Sequence, residues 1–231
     1  MTNLHNIQML ILKELLFKPF SRFSRLNIKG LTSDHFSYHI KTLIDEGYVK
    51  KEKGVYSLTA KGKEFASTMD TDNATIEKQP KVGVLVVTYK YRAGKKYLLI
   101  QERTKEPYFG YKGFFTGKVR FGEKVCDTAR RELTEETGLT AQDVTLKTVI
   151  RDQVINSEKG NLLEDKIFFI CTIKNPKGEI ISTENGKNYW ITEEDFYKLD
   201  KKYYNEDIIY ELSKKKRNVD FLEAVYAVDE F

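Results

Sequence analysis

Three glutamates near the middle of the chain have the spacing of a metal site on a helix. Glu132, Glu135 and Glu136 stand at positions i, i+3 and i+4, which on a helix places them within one arc of about 100°. Like charges this close repel one another unless a cation binds among them. Hard divalent cations prefer oxygen ligands, and Mg²⁺ usually keeps water and substrate phosphates as its remaining ligands. The spacing therefore indicates either a Mg²⁺ site that handles phosphate or a solvated helix laced with ion pairs.

Residues on both sides of this triplet separate the two interpretations, because a solvated helix has no reason to hold glycines and an arginine at fixed distances from it. The full pattern is Gly117, five residues, Glu123, seven residues, Arg131-Glu132-Leu133, one residue, Glu135-Glu136, one residue, Gly138-Leu139. This pattern resembles the Nudix box at every position that the box specifies, which favours the metal site.

The resemblance to the Nudix family covers about residues 80–215 and implies a fold, a reaction and residue roles. The fold is an α/β/α sandwich with a mixed sheet, and members typically hydrolyse a nucleoside diphosphate linked to another group with Mg²⁺ or Mn²⁺. Glu135 and Glu136 are implied to be catalytic. The implied metal ligands are Gly117 (through its backbone carbonyl), Glu132, Glu135 and Glu136, and the implied orienting residues are Glu123 and Arg131.

A further glutamate downstream of the box is often used in this family, shortly before a strand that contains tryptophan. Glu184 lies six residues before Trp190 in STENGKNYW, and we nominate it as an additional metal ligand or catalytic base. Glu158 and Glu164 are rivals, since EKGNLLED can also form a loop near the site. An ordinary loop glutamate is the alternative for Glu184.

Two departures bear on the substrate. Phe115-Thr116 stands where the family often has Pro-Gly, so the loop before the box can differ in shape. No proline follows Leu139 where ADP-ribose hydrolases tend to have one, and the extended motifs of NADH and coenzyme A hydrolases are absent. Tyr108, Phe109 and Tyr111 can stack on a base, although such aromatic residues are more often simply packed.

Hydrophobic periodicity predicts the elements that must position the box. KVGVLVVTYKY and KKYLLIQER read as strands paired around Ala93-Gly94, and GFFTGKV is extended. Residues 124–137 have a helical pattern, with Val125, Ala129 and Leu133 facing one way. TLKTVIRDQVI and EDKIFFICTI are further strands, and a short strand and two helices follow. We therefore expect an α/β domain with a mixed sheet.

The N-terminal part predicts a separate small domain. Helices are expected at residues 3–17, around FSRLNI, and from Thr32 or Ser33 to about Glu46, followed by a hairpin around Lys53-Gly54 and another helix. This order resembles a winged helix-turn-helix domain over about residues 3–68. In that family the third helix enters the major groove and the wing meets the DNA backbone.

The second resemblance implies contacts with double-stranded DNA through the third helix and the hairpin. Asp34 is unfavourable beside phosphate, and winged helices also serve in protein docking or dimerisation, which is the alternative. The implied DNA-binding residues are Ser33, His35, Ser37, Tyr38 and Lys41 for the groove and Lys50, Lys51 and Lys53 for phosphates.

Composition sets the domain limits and excludes some chemistry. The polar segment STMDTDNATIEKQP predicts a linker at 69–79, between a winged-helix domain at 1–68 and a Nudix domain at 80–231. All three histidines precede the linker, which excludes histidine bases and a Ser-His-Asp triad from the second domain. Two cysteines form no metal or disulfide framework. No signal peptide or membrane-length apolar run is found, so we expect a cytoplasmic protein without a membrane partner.

Two functions follow from the combined pattern. The first is a Mg²⁺-dependent Nudix pyrophosphohydrolase of a nucleoside diphosphate derivative, with a winged-helix domain for DNA binding or regulation. The alternative is a transcription regulator whose Nudix domain senses a nucleotide such as ADP-ribose and controls DNA binding. The complete box and the order of the domains favour catalysis. A homodimer is expected to be possible in either case, because winged-helix readers of palindromes and many Nudix enzymes pair.

Overall fold

The structure, a computed structural model, describes residues 4–27, 29–70, 72, 74–76, 78–216 and 221–228. The chain divides into two compact units, Met1–Lys78 and Gln79–Phe231. Within the described ranges, none of the helices combines the length and the apolar character needed to cross a bilayer.

In the ranges that the structure describes, the first unit contains four helices and three paired strands, followed by a short two-stranded ladder. The sheet has the order β1-β3-β2, and both of its strand pairs are antiparallel. The elements are α1 (Asn6–Phe17), β1 (Ser21–Arg22), α2 (Phe23–Leu26), α3 (Ser33–Asp45), β2 (Val49–Glu52), β3 (Val55–Leu58), α4 (Ala60–Ala66), β4 (Met69–Asp70) and β5 (Thr75–Ile76).

Apolar side chains of α1 and α3 form much of the core of the first unit. Leu12 of α1 and Leu43 of α3 are fully buried in it. The chain leaves α3 through Gly47, whose φ of 78° suits a residue without a Cβ. Lys53 and Gly54 both have positive φ in the turn that joins β2 to β3, which is the geometry of a tight hairpin connection.

Part of the segment that the sequence predicts as a linker forms secondary structure. β4 pairs with β5 in antiparallel register, and the side chains of Met69 and Ala74 are 5% and 3% exposed against the core of the first unit. The polar composition of residues 69–79 conceals this arrangement, because two small or flexible apolar residues are enough to fix so short a ladder.

Among its described residues, the second unit contains a sheet of eight strands with helices on both faces. Its helix and strand bounds are β6 (Lys81–Arg92), β7 (Lys95–Arg103), β8 (Lys112–Gly113), β9 (Phe115–Lys118), α5 (Val125–Thr137), β10 (Thr145–Asn156), β11 (Leu162–Lys174), β12 (Gly186–Thr192), α6 (Glu193–Tyr197), α7 (Glu206–Lys214) and β13 (Phe221–Val228).

The sheet is mixed, as predicted. Its main order is β12-β7-β6-β11-β10-β13, with β8 beside β7 and β9 beside β6. β6 runs parallel to β11 and β10 runs parallel to β13, whereas the other pairs are antiparallel. The predicted pairing of β6 with β7 around Ala93-Gly94 is confirmed, and both turn residues have positive φ. Strand β13 is an addition that the sequence did not predict.

Strand β6 serves both faces of this sheet because successive side chains point to opposite sides. Val84 and Val86 are buried against α5, in a cluster with Leu133. Leu85 and Val87 are buried on the other face, against α6 and α7. The continuous apolar run of β6 is therefore explained by burial on both sides.

Candidate active site

Helix α5 carries the box glutamates and is fixed to the sheet by its apolar stripe. Ala129 and Leu133 are fully buried against β6 and β9. The helix ends at Gly138, which has a φ of 73° and donates its backbone N–H to the carbonyl of Thr134. This left-handed ending favours glycine and explains one fixed position of the box. Glu132 lies one residue before Leu133, and its side chain is 9% exposed.

Gly117 of β9 is required by the side chain of Glu132. A Cβ at position 117 would lie 1.8 Å from Cδ of Glu132, so any other residue would displace that carboxylate. Gly83 of β6 permits a similarly close approach, because a Cβ there would lie 2.7 Å from the carbonyl oxygen of Gly117. Two strands and a helix thus approach closely enough to bring the Gly117 backbone beside the Glu132 carboxylate.

Arg131 binds three of the box carboxylates at once. Its Nε and Nη2 donate to the two oxygens of Glu123 at 2.7 and 2.9 Å. Its Nη1 donates to Oε1 of Glu132 at 2.6 Å and to Oε2 of Glu135 at 2.8 Å. The hydrogen bonds from Arg131 lower the pKa of Glu123 to about 2, and the same carboxylates raise the pKa of Arg131. The loop before α5 and the helix are therefore joined through one guanidinium.

Glu132 and Glu136 differ from Glu123 in their electrostatic surroundings. Burial raises the pKa of Glu132, although Arg131 opposes that shift. Glu136 accepts hydrogen bonds from neutral amides, with Asn185 Nδ2 at 2.7 Å and Gln101 Nε2 at 3.1 Å. Glu132 accepts only one hydrogen bond from Arg131 whereas Glu123 accepts two, and Glu136 accepts none, so both Glu132 and Glu136 retain affinity for a cation.

The donor set fits a hard divalent cation. It consists of carboxylate oxygens and one backbone carbonyl, without histidine or cysteine, which suits Mg²⁺ or Mn²⁺ better than zinc. As the side chains stand, no three His, Cys, Asp or Glu residues in the described ranges surround a common ion position. Arg131 Nη1 donates hydrogen bonds to one oxygen each of Glu132 and Glu135, which draws these carboxylates towards the guanidinium.

The box faces a cleft of about 540 Å³ whose lining combines carboxylates with cationic side chains. Glu132, Glu135 and Glu136 are among its carboxylates. Its cationic side chains come from four strands and from the loops after β7 and β9, and they can bind several phosphate oxygens. These cationic residues are Lys81, Arg103, Lys105, Lys118, Arg120 and Lys166.

A smaller cavity of about 280 Å³ adjoins this cleft. The two cavities share lining residues, among them Thr116, Glu164 and Phe168. The smaller one also contains the aromatic ring of Tyr203 and two buried carboxyls, which are described below. Together the two cavities resemble a site for a molecule with a charged part and a ring.

The structure separates the three downstream glutamates. Glu184 is exposed and lines neither cavity, while its backbone carbonyl accepts a hydrogen bond from Thr104 Oγ1 at 2.6 Å. Glu158 is also exposed and lines neither. Glu164 lines both cavities and forms an ion pair with Lys166. Strand β11 begins at Leu162, so Glu164 belongs to the sheet and not to a loop.

The departures from the family pattern also have structural explanations. Phe115 is 1% exposed in the core beside α5, and Thr116 is exposed and lines both cavities. Phe115-Thr116 therefore continues strand β9 into the site. Of the three aromatic candidates, Tyr108 lines the smaller cavity, with its ring centroid 5.6 Å from that of Tyr111, whereas Phe109 is 63% exposed.

The DNA-binding candidates lie on α3 and on the hairpin β2–β3 of the first unit. Lys50 forms an ion pair with Glu52 at 2.9 Å, and Lys51 Nζ lies 5.2 Å from the centre of the Tyr56 ring. All eight candidate side chains are exposed, namely Ser33, His35, Ser37, Tyr38, Lys41, Lys50, Lys51 and Lys53.

Some contributors to the site could not be found in the sequence. Gln101, Thr183 and Asn185 donate to the carboxylate of Glu136, and Asn188 Nδ2 donates to its backbone carbonyl at 2.6 Å. These residues come from β7, from β12 and from the loop that precedes β12. Neutral polar residues in strands and loops carry no spacing signal, so only the fold brings them to α5.

Comparisons with known proteins agree with this geometry. A family model described as the NUDIX domain matches residues 78–212. The NUDIX domain of Shewanella oneidensis NrtR complexed with ADP ribose is similar, with a TM-score of 0.52, 15% identity, and coverage of 65% of this chain and 95% of that one. A MutT protein from Bacillus halodurans has a TM-score of 0.51, 18% identity, and coverage of 63% and 90% respectively. No curated protein sequence matches the chain significantly.

Proposed function

The chain belongs to the Nudix family, because the NUDIX domain model matches more than half of its length, and from that premise we propose a metal-dependent hydrolase. The reaction is hydrolysis of a phosphoanhydride in a nucleoside diphosphate derivative, with Mg²⁺ or Mn²⁺ as the cofactor. The proposal adds the reaction, the cofactor and the residue roles to the family membership.

One observation carries this proposal: the cleft beside α5 is lined by the box carboxylates together with several cationic side chains. The carboxylates of Glu132, Glu135 and Glu136 supply oxygen ligands for a cation. Cationic residues of the same cleft, Lys81 and Lys166 among them, supply partners for phosphate oxygens. A solvated surface helix would need neither this cleft nor the close approach of Gly117 to Glu132.

The residues of the chain take distinct roles in this proposal. Glu132, Glu135, Glu136 and the Gly117 carbonyl hold the metal, which when bound neutralises phosphate charge and lowers the pKa of water. Arg131 and Glu123 are positioning residues, since Arg131 joins the loop carboxylate of Glu123 to the helix. The lysines that line the cleft bind and orient the diphosphate beside the box carboxylates.

A proton acceptor for the attacking water is also required. We propose Glu164 for this role in place of Glu184, because Glu164 lines the cleft and Glu184 does not. Glu164 also forms an ion pair with Lys166, which holds its carboxylate at the edge of the cleft.

The first experiment tests the reaction. Purified protein is screened for Mg²⁺-dependent hydrolysis of nucleoside triphosphates, ADP-ribose, NADH, dinucleoside polyphosphates and nucleotide sugars. We expect Glu136→Gln to lower the rate on the best substrate by at least about 10²-fold. Glu194→Gln, an exposed surface change on α6, is the matched control and should leave the rate unchanged. Equal rates for Glu136→Gln and the parent protein would contradict the assignment.

A second pair of variants tests the proton acceptor. Glu164→Gln should reduce kcat and remove the acidic limb of the pH–rate profile, because that limb reports the ionisation of the base. Glu184→Gln should retain both. The reverse result would return the role to Glu184.

For the first unit, we propose a winged helix-turn-helix domain that binds double-stranded DNA. Three helices, a three-stranded sheet and a basic turn at Lys53-Gly54 support this function, as does the exposure of every candidate side chain. Lys50 and Lys51 lie on the hairpin that would meet phosphates. Protein docking remains the competing role for the same surface, and pairing of two chains on DNA stays a prediction.

A gel shift with the DNA upstream of the coding sequence tests DNA binding. Joint replacement of Lys50, Lys51 and Lys53 by alanine should weaken binding. It should also reduce the dependence of log K on log salt by about 1 for each phosphate that the variant no longer neutralises. Replacing the exposed Lys177, Lys187 and Lys198 of the second unit removes the same charge and should have little effect. Equal weakening by both triple variants would indicate a general charge effect.

The same assay addresses regulation. The NrtR structure named above contains ADP ribose, and a sensing role here predicts that ADP-ribose or another nucleotide changes the affinity for DNA. An unchanged gel shift across the nucleotides of the hydrolysis screen would favour the hydrolase without nucleotide-controlled DNA binding.

A further inference from the structure

All three histidines of the chain meet in one cluster in the first unit. His35 and His39 stand at positions i and i+4 of α3, and His5 is the residue that precedes α1. The ring centroid of His39 lies 4.7 Å from that of His5 and 5.0 Å from that of His35. The proposed hydrolysis uses none of these side chains, so the cluster needs an explanation of its own.

The two histidines of α3 bring their Nε2 atoms together. These atoms lie 3.2 Å apart, because side chains at positions i and i+4 share one face of a helix. Two metal–nitrogen bonds of about 2.0–2.1 Å at a tetrahedral angle would hold the same atoms about 3.3–3.4 Å apart. The observed separation therefore suits either a hydrogen bond between the rings or a metal ion bound by both.

His39 is buried in a way that leaves one nitrogen available to a ligand. The residue is 4% exposed, and burial without a nearby anion disfavours the charged imidazolium. A neutral ring keeps the lone pair that a metal ion requires. Nδ1 of His39 is buried and has no hydrogen-bonding partner among the described residues. Nε2 is therefore the atom through which this ring can reach a ligand.

His5 supports the ring of His39 from the other helix. Its Nδ1 accepts a hydrogen bond from the backbone N–H of Ile7 at 3.2 Å, and its own backbone N–H donates to Oε1 of Gln8 at 2.7 Å. This capping box fixes the His5 ring, which is stacked on that of His39 with 25° between the ring planes. Because Nδ1 accepts, Nε2 of the neutral His5 ring carries the proton. His5 is therefore a support for His39 and not a ligand.

The chemistry of the donors selects the class of ion. Mg²⁺ and Ca²⁺ prefer oxygen ligands, whereas imidazole nitrogens suit Zn²⁺, Cu²⁺ and Ni²⁺. As the side chains stand, no third His, Cys, Asp or Glu of the described ranges converges with the pair. Water would complete the coordination, which makes this an open and exchangeable site instead of a closed structural one.

We propose that His35 and His39 form a second metal site, on α3 of the first unit, which binds a divalent transition-metal ion such as Zn²⁺ through two imidazole nitrogens. This inference goes beyond the proposed hydrolysis and does not depend on it. The box of the second unit offers oxygen ligands, whereas this pair offers nitrogen ligands, so the two sites should differ in the ions that they prefer.

Calorimetric titration of Zn²⁺ tests the site. The full chain is used without a histidine tag, and excess Mg²⁺ is present so that the box carboxylates are occupied. His35→Gln removes one ligand at an exposed position, so the fold should be retained. We expect the Kd for Zn²⁺ to rise at least about tenfold, because losing a ligand costs no less than losing one of its outer hydrogen-bonding partners.

A matched change on the same helix controls for the loss of a polar side chain. Asp45→Asn alters an exposed carboxylate near the end of α3 and should bind Zn²⁺ as the parent protein does. Equal affinity for Zn²⁺ in His35→Gln and the parent protein would overturn the proposal, since the ion would then bind elsewhere, for example at the box.

Nitrogen-15 NMR of the imidazole rings identifies the ligand atoms, because the chain contains only three histidines. The Nε2 resonances of His35 and His39 should shift together as Zn²⁺ is added, with the Kd found by calorimetry, while those of His5 change little. A shift of His35 alone would mean adventitious binding to an exposed ring and would overturn the shared site. Unchanged resonances of both rings would also overturn it and leave a hydrogen bond between the rings as the explanation of their proximity.

Discussion

The carboxyls of the box and the two buried carboxyls of the smaller cavity, Asp152 and Glu206, differ in their electrostatic surroundings. In the box, Arg131 binds Glu123 and lowers its pKa to about 2. In the smaller cavity, no lysine or arginine in the described part of the chain forms an ion pair with Glu206, and burial raises its pKa to about 8. The position of one guanidinium therefore separates Glu123, which is a preformed anion, from Glu206, which holds a proton near pH 7.

Glu132 is intermediate between Glu123, whose pKa is lowered, and Glu206, whose pKa is raised most clearly by burial. It contacts Arg131, as Glu123 does, but its deeper burial is the larger influence and raises its pKa. Arg131 therefore stabilises the box only in part. The remaining charge imbalance is what a divalent cation would remove.

Removing Arg131 should give the largest effect on stability. Arg131→Ala leaves Glu123 and Glu132 without their cation, and breaking a partly buried pair on one side typically costs about 3–5 kcal/mol. Differential scanning calorimetry should show a lower transition temperature for the second unit. A change no larger than that of an exposed ion pair would mean that Arg131 is not what separates the two groups of carboxyls.

Adding metal should give the next largest effect. Mg²⁺ at about 100 times its Kd should stabilise the second unit by about 2.7 kcal/mol through mass action, and EDTA should reverse this. Glu132→Gln should remove most of the gain, whereas Glu206→Gln should keep it because Glu206 lies outside the box. Equal gains in both variants would place the metal elsewhere.

The pH dependence of stability should differ between the parent protein and Glu206→Gln. The unfolded chain releases the proton of Glu206 near its ordinary pKa, but the folded protein keeps it up to about pH 8. The folded state therefore binds more protons in this window, and stability falls as pH rises through it, by at most about 1.4 kcal/mol per pH unit. Denaturant titrations from pH 5 to pH 8 should show a shallower decline for Glu206→Gln. Parallel curves would contradict the raised pKa.

The smallest effect is expected for an exposed pair on the same helix as the box. Asp127 pairs with Arg130, and their side chains are 57% and 39% exposed. Asp127→Asn should change the free energy of unfolding by less than about 1 kcal/mol, because solvent screens the pair and only the helix dipole adds to it. Urea unfolding provides the measurement, and a larger loss would show that exposure does not distinguish this pair from that of Arg131.

The two groups of carboxyls also differ in how far the sequence predicts them. The box could be read because its constraints are local: α5 carries the glutamates at helical spacing, and Gly138 ends it. Asp152 lies within the alternating pattern of β10, and Glu206 looks like an ordinary acidic residue in the first turn of α7. Their proximity arises from packing between distant segments, which no spacing encodes.

The downstream glutamates illustrate the same limit. Glu184 was nominated from its distance to Trp190, and the structure leaves it exposed. Glu164 reaches the cleft because β11 begins at Leu162 and runs parallel to β6. That pairing joins segments about eighty residues apart, so the sequence could name the rivals without choosing between them.

The shared wall between the two cavities has a consequence for turnover. A ligand that spans both is held at two points, and each attachment raises the effective concentration of the other part. Cleavage between the two points removes this gain in effective concentration, since each fragment then binds only through its own contacts. The intact molecule is retained more firmly than its pieces, so a connected pair of modest cavities favours departure of the products without any moving lid.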